Sequence, residues 1–188
     1  VFIGLVAIHD QKSDRVWTEL AWSRDTIKWD RIDIGNPLIP NSEKIFDYDY
    51  GCIYAAVKPI IKKNEIQIFY ASSDYLHSGW RNGSFSLATL RPDGFAGYIQ
   101  KNIDENGIII TKKLNSKNKE IRLTADVENG GFVSVSVLNS KGNEIANSKL
   151  LKKTITDGVL KFDNKINEEL IKLQIRINKA KVYSFMIN

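Results

Sequence analysis

At 188 residues, with 43% hydrophobic and 10% aromatic content, the chain has the size and composition for one large domain or two small ones with a packed core, which excludes a disordered tail or linker. Its formal charge of +5 does not mark a nucleic-acid binder, because Lys62-Lys63, Lys112-Lys113, Lys117, Lys119, Lys141 and Lys152-Lys153 are scattered over expected turns and strand ends. No run approaches the roughly 18 apolar residues of a membrane span, and a single cysteine, Cys52, excludes an internal disulfide and a Cys-based zinc cluster.

The chain opens in the apolar run Val1-Phe2-Ile3-Gly4-Leu5-Val6-Ala7-Ile8, without an initiating Met or a basic-then-apolar leader, so it begins inside a strand and upstream sequence is expected. His9 closes that strand as a lone histidine, which reads as structural or exposed. Next comes Ala21-Trp22-Ser23-Arg24-Asp25-Thr26-Ile27-Lys28-Trp29, a strand running through Arg and a turn Asp to an aromatic. Asp47 and Asp49 follow, near the start of an expected strand over Gly51-Cys52-Ile53-Tyr54. In an extended segment they would stand about 6–7 Å apart on one face, the spacing of paired carboxylates; a solvated turn over Asp47-Tyr48-Asp49-Tyr50-Gly51 accounts for them as well. Cys52, beside Ile53 and Tyr54, reads as a buried and inert thiol.

After the Lys63-Asn64 turn, Ile66, Ile68 and Tyr70 alternate with Glu65, Gln67 and Phe69, the period of a strand. The loop Tyr75-Leu76-His77-Ser78-Gly79-Trp80-Arg81 is too polar for a strand and carries a large aromatic. Such a set suits a sugar, with the indole on its apolar face and His77 or Arg81 bonding its hydroxyls; the alternative is a surface loop with Trp80 folded onto the core. Ala88-Thr89-Leu90-Arg91-Pro92-Asp93-Gly94-Phe95 then repeats the pattern of residues 21–29. Two such hairpins, each preceded by a strand in Val1 to Ile8 or Ile66 to Ser72, predict two successive propeller blades.

Composition changes near residue 98: all four tryptophans, both histidines and all four prolines precede it, and Lys, Asn, Ile and Val dominate afterwards. This sets domains at 1–98 and 99–188. In the second, alternation over Ile121 to Val127, Val133 to Val137, Leu173 to Ile177 and Tyr183 to Ile187 predicts strands. Turns are expected at Asn106-Gly107, Asn129-Gly130-Gly131, Lys141-Gly142-Asn143 and Asp157-Gly158. Ile166 to Leu173 has the look of a helix, but its continuation through Gln174-Ile175-Arg176-Ile177 favours a strand. Short strands at this spacing read as a β-sandwich, and the whole chain as all-β.

Ser23-Arg24-Asp25-Thr26-Ile27-Lys28-Trp29 resembles the Ser-x-Asp-Gly-x-x-Trp turn of five-bladed propeller glycoside hydrolases of families 32 and 43, with Thr26 in place of the usual Gly. The order of segments that follows is more specific. Phe46-Asp47 leads to Gly51-Cys52-Ile53-Tyr54, Ile68-Phe69-Tyr70 leads to His77, and Leu87-Ala88-Thr89-Leu90-Arg91-Pro92-Asp93-Gly94-Phe95 precedes a C-terminal part ending in Tyr183-Ser184-Phe185. This resembles the last blades and C-terminal sandwich of bacterial family-32-like proteins, over most of the chain.

The resemblance implies a partial β-propeller of about two blades followed by a β-sandwich, and carbohydrate as the partner. It also implies that the carboxylates of glycoside hydrolysis come from earlier blades, so this chain alone is expected to lack them. Asp47, His77, Trp80 and Arg81 are the candidate sugar-binding residues. A metal or other cofactor is not expected, because His9 and His77 are far apart in sequence without a ligand-spaced partner; a nucleophile elbow and a phosphate loop are also missing. Two classes of function stay open, a piece of a carbohydrate-active enzyme and a non-catalytic carbohydrate-binding or adhesive module. Blades without their neighbours would expose apolar flanks, which implies self-association or a complementary propeller chain.

Overall fold

The computed structural model describes residues 1–116 and 119–188, and every regular element among them is a β-strand. Lys117, placed above among the turn lysines, lies outside the described residues. Among the described residues no helix is long and apolar enough to cross a membrane. The chain divides into two compact units, Val1–Phe95 and Ala96–Asn188.

The first unit is one seven-stranded sheet. Strands β1 (Phe2–Asp10), β2 (Arg15–Ser23) and β3 (Trp29–Ile32) make an antiparallel meander. Strands β4 (Cys52–Ala55), β5 (Ile60–Ile61), β6 (Ile66–Ser73) and β7 (Gly83–Leu90) make a second group, in which β6 pairs antiparallel with each of the others. One parallel pairing, Val16 opposite Cys52, joins the two groups.

The strand period decides which side chains are buried. Ile66, Ile68 and Tyr70 lie inside with Ile39 and Ile53, and Leu5, Leu38, Ala88, Leu90 and Phe95 pack against them. Burying each isoleucine contributes roughly 1.5–3 kcal/mol. Strand β2 departs from alternation, since Thr18, Glu19, Leu20 and Ala21 are all buried, so this strand is covered on both faces. Its turn into β3 is closed by side chains: Ser23 Oγ accepts from Thr26 N (2.8 Å), and Asp25 Oδ1 accepts from Ile27 N and Lys28 N (both 2.9 Å). Thr26 itself stands at φ 66°.

The second unit is a six-stranded sheet. Its strands are β8 (Gly107–Ile110), β9 (Leu114–Asn115), β10 (Ile121–Leu138), β11 (Glu144–Asn147), β12 (Ile155–Val159) and β13 (Leu170–Ile187). The order is β11-β10-β13-β8, with β12 on β10 and β9 on β13.

Three expectations are corrected here. The four segments expected as separate strands merge into β10 and β13, each 18 residues long and paired antiparallel to the other. Asn129-Gly130-Gly131 is a bulge within β10: register jumps between Val127 and Phe132, opposite Lys179. Gly130 at φ 76° and Lys179 at φ 44° supply the left-handed residues of that irregularity. Asp157-Gly158 likewise lies inside β12 and makes no turn.

The bulge also resets the inward phase. Ile171, Leu173, Ile175 and Ile177 are buried before it, Ala180 and Val182 after it, while Phe185 is left 38% exposed. Residues 164–169 are irregular and lead directly into β13, without a helix.

Candidate functional site

The loop between β6 and β7 is built on hydrogen bonds from its two ends. Asp74 accepts from Asn82 N (2.8 Å) and Asn82 Nδ2 (2.7 Å), and these bonds hold its carboxyl below the usual range. Gly51 N donates to Ser73 O (2.8 Å) and Phe46 N to Asp74 O (3.2 Å), while the Phe46 and Tyr75 rings stack at 5.6 Å. The Arg81 guanidinium donates to the carbonyls of His77 and Gly79, which turns the backbone so that Trp80 projects outward, 89% exposed.

Beside this loop lies a cleft of about 470 Å³, lined by Cys52, Tyr54, Ser72, Ser73, Trp80 and Arg81 among others. Such a volume falls within the ~300–1,000 Å³ of small-molecule sites. The Tyr54 phenol titrates above its ordinary value because of burial first and the neighbouring Cys52 second, with Arg81 pulling the other way. Ser72 Oγ is buried without a hydrogen-bond partner. Cys52 is buried. Among the described residues lining the cleft, none is Asp or Glu.

Of the four residues singled out in the sequence, Trp80 and Arg81 therefore meet at one cleft, and Tyr54 joins them unforeseen. Asp47 is committed to its own loop, where its carboxylate accepts from Ser42 Oγ (2.6 Å) with Lys44 Nζ at 3.9 Å. The extended segment that would have aligned Asp47 with Asp49 is a turn, closed by Asp47 N to Lys44 O (3.1 Å) and Tyr50 N to Asp47 O (3.0 Å). Asp49 approaches Tyr70 OH at 3.4 Å.

His77 sits elsewhere, on His9. The two rings, separated by 68 positions in sequence, lie with centroids 4.5 Å apart and tilted by 38°, so the inference that distance in sequence kept them apart in space is corrected. Beside them stands Asp14, at φ 53° in the β1–β2 turn. Its Oδ1 accepts from His9 Nε2 (3.0 Å) and Ser78 Oγ (3.0 Å), and its Oδ2 from Ser78 N (2.8 Å). Its own carbonyl accepts from His77 N (2.8 Å). The Ser78 amide, followed by His9, holds the Asp14 carboxyl below the usual range.

A second buried polar centre was missed in the sequence. Glu19, fully buried in β2, accepts from Trp17 Nε1 (2.9 Å) and Gly35 N (3.2 Å) through Oε1, and from Arg31 Nε (2.8 Å) and Nη2 (2.6 Å) through Oε2. Burial pushes this carboxyl up, but the bonds from Trp17, Arg31 and Gly35 outweigh it and leave it below its ordinary value. Every acceptor position is taken, so Glu19 is a structural anion with no lone pair turned toward a ligand.

What fold and site define is an all-β protein of two units, the first carrying an aromatic-topped cleft and a histidine–carboxylate cluster. No protein-family model matches the chain, and searches of curated proteins and of solved structures also find no match.

Proposed function

We propose that this chain is the C-terminal portion of a carbohydrate-active protein of the propeller glycoside hydrolase type. In this reading the first unit supplies two blades, the second a supporting β-sandwich, and the cleft under Trp80 takes a sugar. One observation carries the proposal: an almost fully exposed indole stands over a cleft that also holds the Arg81 guanidinium and the Tyr54 phenol. A sugar ring has an apolar face bordered by hydroxyls, and this set complements both.

The absence of a carboxylate among the cleft residues described favours binding over turnover by this chain, with acid and nucleophile contributed by earlier blades. The same observation suits a non-catalytic carbohydrate-binding module, and Asp and Glu at the inner-strand starts of upstream blades would decide for the enzyme. Exposed apolar side chains on two strands, Phe2 (49%) and Ile3 (47%) on β1 and Phe85 (76%) and Leu87 (44%) on β7, fit blade flanks that another blade, a second copy or a complementary chain would cover.

Titration with neutral mono- and oligosaccharides, followed by tryptophan fluorescence and calorimetry, tests the proposal. Saturable binding that Trp80→Ala weakens about tenfold or more is expected. A panel without any binder, or a binder indifferent to Trp80→Ala, would overturn it.

A further inference from the structure

We infer that His9, Asp14 and His77 form a binding site for a divalent transition-metal ion of the zinc class. Each contributes one ligand atom, and the three atoms all lie within 4.8 Å of one another. The inference is independent of the sugar reading, because none of the three residues lines the cleft.

The ligand chemistry selects the ion. Two imidazole nitrogens and one carboxylate oxygen suit zinc, cobalt or nickel, whereas calcium and magnesium take oxygen ligands almost exclusively. Two neutral imidazoles and one carboxylate leave a dication with a net charge of +1, to be completed by water at an open position, as in three-ligand zinc sites.

Geometry supports the same set. Bonds of about 2.0–2.2 Å around one tetrahedral ion put ligand atoms about 3.3–3.6 Å apart; the three atoms lie within 4.8 Å of one another, and His9 Nε2 and Asp14 Oδ1 already stand 3.0 Å apart. His9 is exposed and so free to adjust. His77 Nδ1 is buried without any hydrogen-bond partner, so the ring carries a polar nitrogen that the protein leaves unmet. Asp14 is oriented from outside the set: Ser78 bonds Oδ2 through its amide and Oδ1 through its hydroxyl, with Oδ1 directed at His9. Backing of a ligating carboxylate by a hydrogen bond is the usual outer support of a metal site.

The ion would connect two segments far apart in sequence, the β1–β2 turn and the loop that carries Trp80. Its binding would therefore stiffen that loop, and the change should be visible in tryptophan emission.

The experiment uses the chain without a polyhistidine tag, stripped with EDTA and desalted, and titrated with Zn²⁺ by calorimetry and with Co²⁺ by visible absorption. One equivalent should bind in the micromolar range or tighter, Co²⁺ should show d–d bands of low coordination number, and Zn²⁺ should raise Tm. His9→Gln and His77→Gln should each weaken binding beyond the ~10–100-fold typical of losing an outer-shell partner. Should His77→Gln fail to fold by circular dichroism, the exposed His9→Gln decides. Failure of Zn²⁺ to bind saturably, or affinity within about twofold of wild type in a folded His9→Gln protein, would overturn the assignment and leave the three residues as a hydrogen-bonded clasp.

Discussion

Removing the Glu19 carboxylate tests whether the buried ion pair holds the first sheet together. In Glu19→Ala the Trp17 indole N–H loses its acceptor inside the fold, a loss of about 1–2 kcal/mol. Arg31 loses both bonds to Glu19, but its side chain is 37% exposed and turns into water, so the 3–5 kcal/mol associated with a stranded buried charge shrinks to about 1. Gly35 lies at the surface, and its amide is rehydrated at little cost. With the small cavity left behind, the sum is about 3 kcal/mol.

Urea unfolding followed by tryptophan emission is the suitable assay, because Trp17, Trp22, Trp29 and Trp80 all lie in the first unit and report on it alone. The pH dependence adds a second test. The folded carboxyl is lowered relative to the unfolded chain, so its contribution is fully present above the unfolded value of about 4.3 and is lost as pH falls through the folded one. The stability gap between wild type and Glu19→Gln should accordingly narrow as the solution is acidified below about pH 4.3. A Glu19→Ala protein within about 0.5 kcal/mol of wild type, or a gap that does not change with acid, would refute the reasoning.

Gly51→Ala drives a Cβ into the Tyr75 carbonyl oxygen, a backbone atom held by the loop, and should destabilise the first unit by about 3 kcal/mol or more in the same assay. Thr26→Gly should do the reverse: at φ 66° a β-branched residue is strained, and relief of about 1 kcal/mol is expected, less the bond from Thr26 Oγ1 to Asp25 O. An unchanged midpoint would show that the Ser23–Asp25 bonds already absorb that strain. Sedimentation with increasing concentration should reveal self-association through the exposed apolar strands, and Phe85→Glu should reduce it; a monomer at all concentrations that binds no apolar dye would count against open blade flanks.

The alternation of Ile66, Ile68 and Tyr70 was legible in the sequence and reappears as burial, because the direction of a side chain in a strand depends only on its immediate neighbours. The Lys141-Gly142-Asn143 turn was legible for the same reason, with Gly142 at φ 89°. Trp80 and Arg81 could be singled out because an aromatic in a polar loop is locally anomalous. Other features depend on distant partners. The Asn129-Gly130-Gly131 segment carries the signature of a turn, and only the pairing of its flanks with β13, Val127 with Ala180 and Phe132 with Asn178, makes it a bulge. Glu19 looked like an ordinary polar residue in a strand; Arg31, the Trp17 indole and the Gly35 amide converge on it only when the sheet forms. His9 and His77 were read as unrelated, yet the Asp14 carbonyl and carboxylate, bonded to the His77 and Ser78 amides, bring the two rings together. By itself the sequence determined the strand period, the Lys141-Gly142-Asn143 turn and the all-β class, since these follow from local sterics and hydrogen bonding. The β10 bulge, the buried anion and the histidine cluster were decided by tertiary structure, because each requires register between segments tens of residues apart, and no local pattern encodes that register.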